Sequence, residues 1–127
     1  MISIVEPVIL MRISQAYSKG MSKSDLYDYT RGQWRLSKSR AEKAKYGISV
    51  FQGEIVEVYK ILEWLPAGTS MNRDNKLINR KQGEGIANRF EFIGEIANEN
   101  IRSKYLNKSV KHLFMQGNSN PIMYLNC

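Results

Sequence analysis

With 127 residues, of which 43% are hydrophobic and 24% charged, the chain has the composition of a globular protein. This length predicts one domain spanning residues 1–127, and the composition excludes an intrinsically disordered chain. The net charge of +7 indicates a polyanionic partner.

The first half of the chain predicts one strand, two short helices and an extended link between the helices. In chain order these segments are residues 8–13, 25–30, 33–36 and 40–44. Ser22 or Ser24 can cap the first helix, because a hydroxyl accepts a hydrogen bond from an otherwise unpaired amide. Ser37 or Ser39 can cap the second helix in the same way. Gly32 is predicted to end the first helix in the left-handed conformation that glycine adopts readily.

The second half predicts four strands rich in β-branched and aromatic residues. They cover residues 46–52, 54–62, 89–97 and 122–125. A turn at Gln52 and Gly53 joins the first two into a hairpin, and Asn98 is predicted to cap a helix after the third. Residues 69–88 are polar and glycine-rich, which predicts a mobile or functional loop.

Together these elements predict an α+β fold, a small and mostly antiparallel β-barrel with two or three short helices. The strands do not alternate with long helices, which argues against a doubly wound parallel sheet.

A mixture of aromatic rings and fixed positive charge marks the segment from Asp25 to Tyr46. Between Lys23 and Lys45 there are seven basic residues against three acidic ones. Arginine and lysine attract phosphate, and exposed rings stack on bases of any identity. The segment therefore predicts a nucleic-acid-binding surface. Its first candidates are Arg31, Trp34, Arg35 and Arg40, followed by Arg73, Arg80 and Arg89.

These candidates carry distinct predicted roles. Arg31 and Arg35 are expected to neutralise phosphate or to bond a base edge, and Trp34 is expected to stack on a base. Replacing Arg31 and Trp34 by alanine is then expected to weaken binding and leave the fold intact. The alternative is that Trp34 is buried, since a small protein uses large rings to fill its core.

No residue pattern indicates catalysis or a metal centre. His112 is the single histidine, which excludes a site built on two histidines. Carboxylates alternate along the hairpin and recur at Glu91 and Glu95, and such residues could form the metal site of a nuclease. This alternation is more typical of the solvent face of a sheet. The sequence therefore predicts no catalytic residue, no metal site and no cofactor.

The sequence shows no signal peptide and no long apolar stretch, and it has a single cysteine. These features predict a cytoplasmic protein without a membrane segment. Cys127 is the single cysteine, so no disulfide can form within the chain. The apolar N-terminal stretch carries Glu6 and Pro7 and lacks a basic start, unlike a signal peptide.

Six short motifs resemble a family of small uncharacterised bacterial and phage proteins. They are Arg31-Gly-x-Trp34, the run from Tyr46 to Tyr59 with its Gly53 turn, Trp64-Leu-Pro-Ala-Gly68, Arg89-x-Glu-Phe92-x-Gly94, Tyr105-x-x-Lys-Ser-Val110 and Asn120-Pro-Ile-x-Tyr124-x-Asn126. The order of elements also resembles the PUA-like barrels, which include the PUA, ASCH and EVE domains. That resemblance implies binding of RNA or of modified DNA bases in a cleft between barrel and helices. It carries over no individual ligand-binding residue and implies no reaction.

The sequence therefore predicts a non-catalytic nucleic-acid or nucleotide-binding module. Two other functions fit the same residues. One is an adaptor or inhibitor of the phage or mobile-element type that binds an acidic protein, because arginine and aromatic residues are enriched at interfaces. The other is a protein that sequesters a small nucleotide.

Overall fold

The computed structural model describes residues 3–13, 20–32, 34–69, 89–114 and 120–127. Six strands form one sheet: β1 (Val8–Arg12), β2 (Trp34–Arg35), β3 (Tyr46–Phe51), β4 (Glu54–Pro66), β5 (Arg89–Ile96) and β6 (Ile122–Leu125). In the described part of the chain, three short α-helices accompany them, namely α1 (Lys23–Arg31), α2 (Lys38–Ala41) and α3 (Glu99–Tyr105), together with a 3-10 turn at Lys111–Leu113. No helix within these described ranges is long and apolar enough to cross a membrane.

The sheet has the strand order β2-β5-β4-β3-β1-β6. Every neighbouring pair is antiparallel except β1 and β3, which run parallel. A parallel pair needs a crossover connection, and the segment containing α1, β2 and α2 provides it. The predicted α+β fold with a mostly antiparallel sheet is therefore confirmed.

The two end strands of the sheet approach each other, so that the sheet is nearly closed into a barrel. Tyr124 of β6 reaches the turn that follows β2, where its Oη lies 3.4 Å from the backbone oxygen of Ser37. Tyr124 also packs with Trp34 of β2 against the same core cluster. Side chains rather than a backbone ladder therefore close this seam.

Both faces of the sheet are covered by a hydrophobic cluster. One cluster includes Val8, Leu10 and Tyr105, and the other includes Ile9, Met11 and Phe92. Successive side chains of a strand point to opposite faces, so a central strand between two covered faces has no solvent side. Residues 46–50 of β3 are accordingly all buried, although Ser49 among them is polar.

The helix N-termini follow the predicted capping residues. Ser22 caps α1 and accepts a hydrogen bond from the Asp25 amide at 3.1 Å. Asn98 caps α3 through its Oδ1, which lies 3.0 Å from the Ile101 amide. The predicted left-handed cap at Gly32 is wrong, because this residue has φ −115° and ψ 146°. The chain leaves α1 directly in the extended conformation that β2 requires.

The predicted hairpin forms between β3 and β4. Gln52 and Gly53 have φ values of 51° and 81°, as in the two-residue turns that match the twist of antiparallel strands. The strand pairing shifts between Ser49 and Val50, which introduces a bulge that increases the local twist.

Side chains of α1 cover the open edge of β5. Only Arg89 and Phe90 of β5 pair with β2. Beyond them, the oxygen of Phe92 accepts a hydrogen bond from Arg31 Nε at 2.8 Å, and the amide of Gly94 donates to Tyr27 Oη at 2.8 Å. The helix thereby supplies the polar partners that a neighbouring strand would otherwise provide.

Candidate nucleic-acid interface

An exposed basic segment follows β2 and leads into β3. Ser37 caps the single turn of α2, and Ala41 is the residue of that turn that faces the core. The long charged side chains therefore point outward. The exposed charges of this segment are Arg35, Lys38, Arg40, Lys43 and Lys45, together with one carboxylate, Glu42.

Arg40 of this segment stacks on Tyr124 across the barrel seam. Its guanidinium carbon lies 4.4 Å from the centroid of the Tyr124 ring. Burial raises the pKa of the Tyr124 phenol, and the hydrogen bond to Ser37 and the charge of Arg40 offset this only in part. Tyr124 therefore stays neutral at physiological pH, which leaves the positive charge of Arg40 uncompensated at this point.

Two arginines face each other where β2 pairs with the start of β5. Arg35 of β2 is directly opposite Arg89 of β5 in the antiparallel register. Directly opposite residues of an antiparallel pair project to the same face, so both arginines lie on one side of the β2–β5 pair. We define the seam surface as Arg35, Lys38, Arg40, Lys43, Lys45, Arg89 and Tyr124.

Trp34 lies at this seam, and contacts within the fold hold part of its side chain in place. Its indole Nε1 donates to the oxygen of Thr30 at 2.6 Å, and its ring packs against the core cluster that contains Phe92. The side chain is half-buried. The predicted burial of Trp34 therefore holds in part, and its predicted stacking on a base stays a prediction.

Arg31 is an internal residue, whereas the sequence predicts that it contacts phosphate or a base. Only 5% of Arg31 is exposed. Besides the bond to Phe92, its two terminal nitrogens lie 3.5 Å from Asp28 Oδ1 and 3.8 Å from Glu91 Oε2. The sequence shows that a cation is present at this position. It does not show that this cation donates a hydrogen bond to the edge of β5.

The remaining second-rank candidates, Arg73 and Arg80, lie outside the described residues, as does almost all of the predicted loop at 69–88.

Two carboxylates of the sheet are buried, so the predicted solvent face is wrong for them. Glu57 is 3% exposed and accepts two hydrogen bonds from Arg102, at 2.7 and 3.1 Å. Glu91 is fully buried and accepts a hydrogen bond from the Gly68 amide at 2.7 Å. Each contacts an arginine inside the fold, Arg102 for Glu57 and Arg31 for Glu91. Among the residues that the structure describes, no three His, Cys, Asp or Glu side chains lie close enough together to hold a metal ion.

Tyr124 is the functional candidate that the sequence reasoning did not select. In the segment from Ile122 to Leu125, alternation places Tyr124 on the same face as Ile122. The pairing of this ring with Arg40 depends on barrel closure, which no local pattern encodes.

Comparisons with protein-family models, with curated proteins and with solved structures find no match to this chain. The resemblance to small bacterial and phage proteins and to PUA-like barrels therefore stays a prediction. The function has to be argued from the geometry of the seam surface.

Proposed function

We propose that this protein is a nucleic-acid-binding module without catalysis of its own, and that it binds through the seam surface. The observation that supports this most is the run of five exposed basic residues from Arg35 to Lys45 with one carboxylate among them. Arg89 on the neighbouring strand adds a further cation beside Arg35.

This arrangement suits a phosphate backbone. Cations on one face attract a polyanion, and each phosphate that they neutralise releases condensed counterions. A large part of the binding free energy is then electrostatic and weakens with salt. Tyr124 contributes an aromatic ring within the same surface, and rings interleaved with cations are typical of proteins that bind single strands or bases.

The proposal is tested by fluorescence anisotropy with labelled single- and double-stranded DNA and RNA, each titrated at several salt concentrations. We expect log affinity to fall linearly with log salt for at least one of these polymers. The absence of binding at low salt to all four would contradict the proposal. Tight binding of a mononucleotide with little salt dependence would instead support the small-nucleotide hypothesis.

Charge-neutralising variants locate the binding surface. Arg35→Gln combined with Lys43→Gln removes two cations of the seam surface, and we expect the salt slope to decrease by about 1.4 for a single strand. Lys108→Gln combined with Lys111→Gln is the matched control. Both lysines are exposed, and they lie at the β3–β4 turn, at the opposite end of the hairpin from α2. An equal loss in both double variants would show that binding follows net charge alone.

A further inference from the structure

The stack of Arg40 on Tyr124 differs from the other Arg–aromatic contacts of the protein. In the described part of the chain, Arg12 lies over Phe114, Arg31 over Tyr27 and Arg40 over Tyr124. Arg31 is buried and Arg12 is half-buried, whereas Arg40 is exposed. Among these three stacks, Arg40 therefore offers the most accessible guanidinium to a ligand.

Both members of this stack are held in place by the same turn. Tyr124 donates a hydrogen bond to the Ser37 oxygen and packs against the core. Ser37 also caps α2, with its hydroxyl 3.4 Å from the Arg40 amide. The Tyr124 hydroxyl and the Arg40 backbone are therefore both anchored to Ser37, which places the arginine side chain next to the ring.

The guanidinium of Arg40 is planar and exposed beside the Tyr124 ring, so it can offer a flat, charged surface to a ligand. Unpaired bases stack on arginine planes and aromatic rings, whereas the bases of a duplex are already stacked on each other. Within the described residues, the helix at this surface is α2, a single turn of four residues that is too short to enter and read a major groove.

We infer that the Arg40–Tyr124 stack is a platform for an unpaired base, so that the protein prefers single-stranded DNA or RNA over a duplex. This inference rests on the proposed function. It adds that Arg40 acts through its planar shape as well as its charge.

Arg40→Lys tests the inference, because lysine keeps the charge and removes the plane. Anisotropy is measured with single-stranded DNA, single-stranded RNA and the DNA duplex of the same sequence, at a salt concentration where wild type binds all three measurably. We expect wild type to favour the single strands, and Arg40→Lys to lower the ratio of single-strand to duplex affinity about tenfold.

Arg12→Lys is the matched control, because it removes an Arg–aromatic contact from the other face of the sheet, where Phe114 joins the opposite core cluster. We expect it to leave the affinity ratio unchanged. Thermal unfolding of both variants verifies that they remain folded at the temperature of the titrations.

The outcomes separate the inference from the proposed function. Salt-dependent binding with a duplex preferred, or with a ratio that Arg40→Lys does not change, overturns the inference and leaves the proposed function standing. No binding to any of these three polymers at low salt overturns the inference, and it overturns the proposed function as well when double-stranded RNA also fails to bind.

Discussion

Arg31 and Arg40 are both arginines of the basic segment, yet their surroundings assign them opposite roles. Arg31 lies among Asp28, Glu91 and the open edge of β5, so its charge is balanced inside the protein. Arg40 meets a neutral phenol and solvent. At the scale of single residues, the identity of the neighbours therefore decides which cations remain for a ligand.

Removal of Arg31 is expected to destabilise the fold. In Arg31→Ala the buried Glu91 carboxylate loses a cationic partner, and breaking a buried pair in this way typically costs about 3–5 kcal/mol of unfolding free energy. Urea unfolding measures this loss. Arg35→Ala, at an exposed position, is the control and is expected to change stability by less than about 0.5 kcal/mol. If Arg31→Ala leaves the stability unchanged and weakens oligonucleotide binding, Arg31 belongs to the binding interface and this prediction is wrong.

Glu6 is expected to make stability depend on pH in the acid range. Burial alone would raise the pKa of the Glu6 carboxyl, but hydrogen bonds from Lys104 and Tyr105 outweigh it and lower that pKa below its usual range. The contribution of Glu6 is therefore present at neutral pH and is lost as the pH falls through the lowered pKa.

The measurement compares wild type with Glu6→Gln across the acid range. We expect wild type to be the more stable near neutral pH and the difference to shrink below about pH 4. A difference that stays constant down to about pH 3 would show that the Glu6 charge does not stabilise the fold.

At the scale of elements, the strands and helix starts could be predicted because their signals are local. Ser22 and Asn98 cap their helices through amides three residues further on, so these caps do not depend on distant contacts. The Gln52–Gly53 turn likewise sets the hairpin register locally. Contacts between distant elements could not be predicted in this way. Tyr27 and Arg31 of α1 meet β5 more than sixty residues later, and no periodicity in the sequence indicates that contact.

Tyr27→Phe tests whether α1 stabilises the edge of β5. It leaves the Gly94 amide without the Tyr27 hydroxyl, and the loss of one hydrogen bond at a partly buried site costs about 1 kcal/mol. Tyr29→Phe on the same helix is the control, because Tyr29 makes no side-chain hydrogen bond with the described residues. Denaturant unfolding compares the two variants, and equal stability losses would contradict the proposed role of α1.

The turn between β3 and β4 is expected to gain stability from Gln52→Asn. Gln52 has φ 51°, and asparagine adopts positive φ at this turn position more readily than glutamine does. We expect a gain of up to about 1 kcal/mol in denaturant unfolding, because the left-handed conformation costs an ordinary residue about 1–2 kcal/mol and asparagine less. Gly53→Ala has the opposite expected sign, because Gly53 has φ 81° and an added Cβ would meet Lys111 Cγ at 2.3 Å. A Gln52→Asn protein no more stable than wild type would contradict this account of the turn.

At the scale of the whole molecule, the burial of two carboxylates leaves fewer negative charges on the surface to offset the exposed cations. Glu57 and Glu91 form ion pairs within the fold, with Arg102 and Arg31 respectively. The net charge of +7 is therefore carried by other residues, and the seam surface holds the run of exposed cations from Arg35 to Lys45. The basic segment could be predicted from the sequence, whereas its proximity to Arg89 and Tyr124 depends on the near closure of the sheet into a barrel.

The most direct test of the seam surface is an NMR titration of ¹⁵N-labelled protein with the oligonucleotide that binds best in the anisotropy experiments. We expect the backbone amide signals of Arg35, Arg40, Arg89 and Tyr124 to shift with ligand concentration, and those of Lys108 and Lys111 at the β3–β4 turn to stay in place. Shifts confined to Lys108 and Lys111, with none at the seam, would contradict the account.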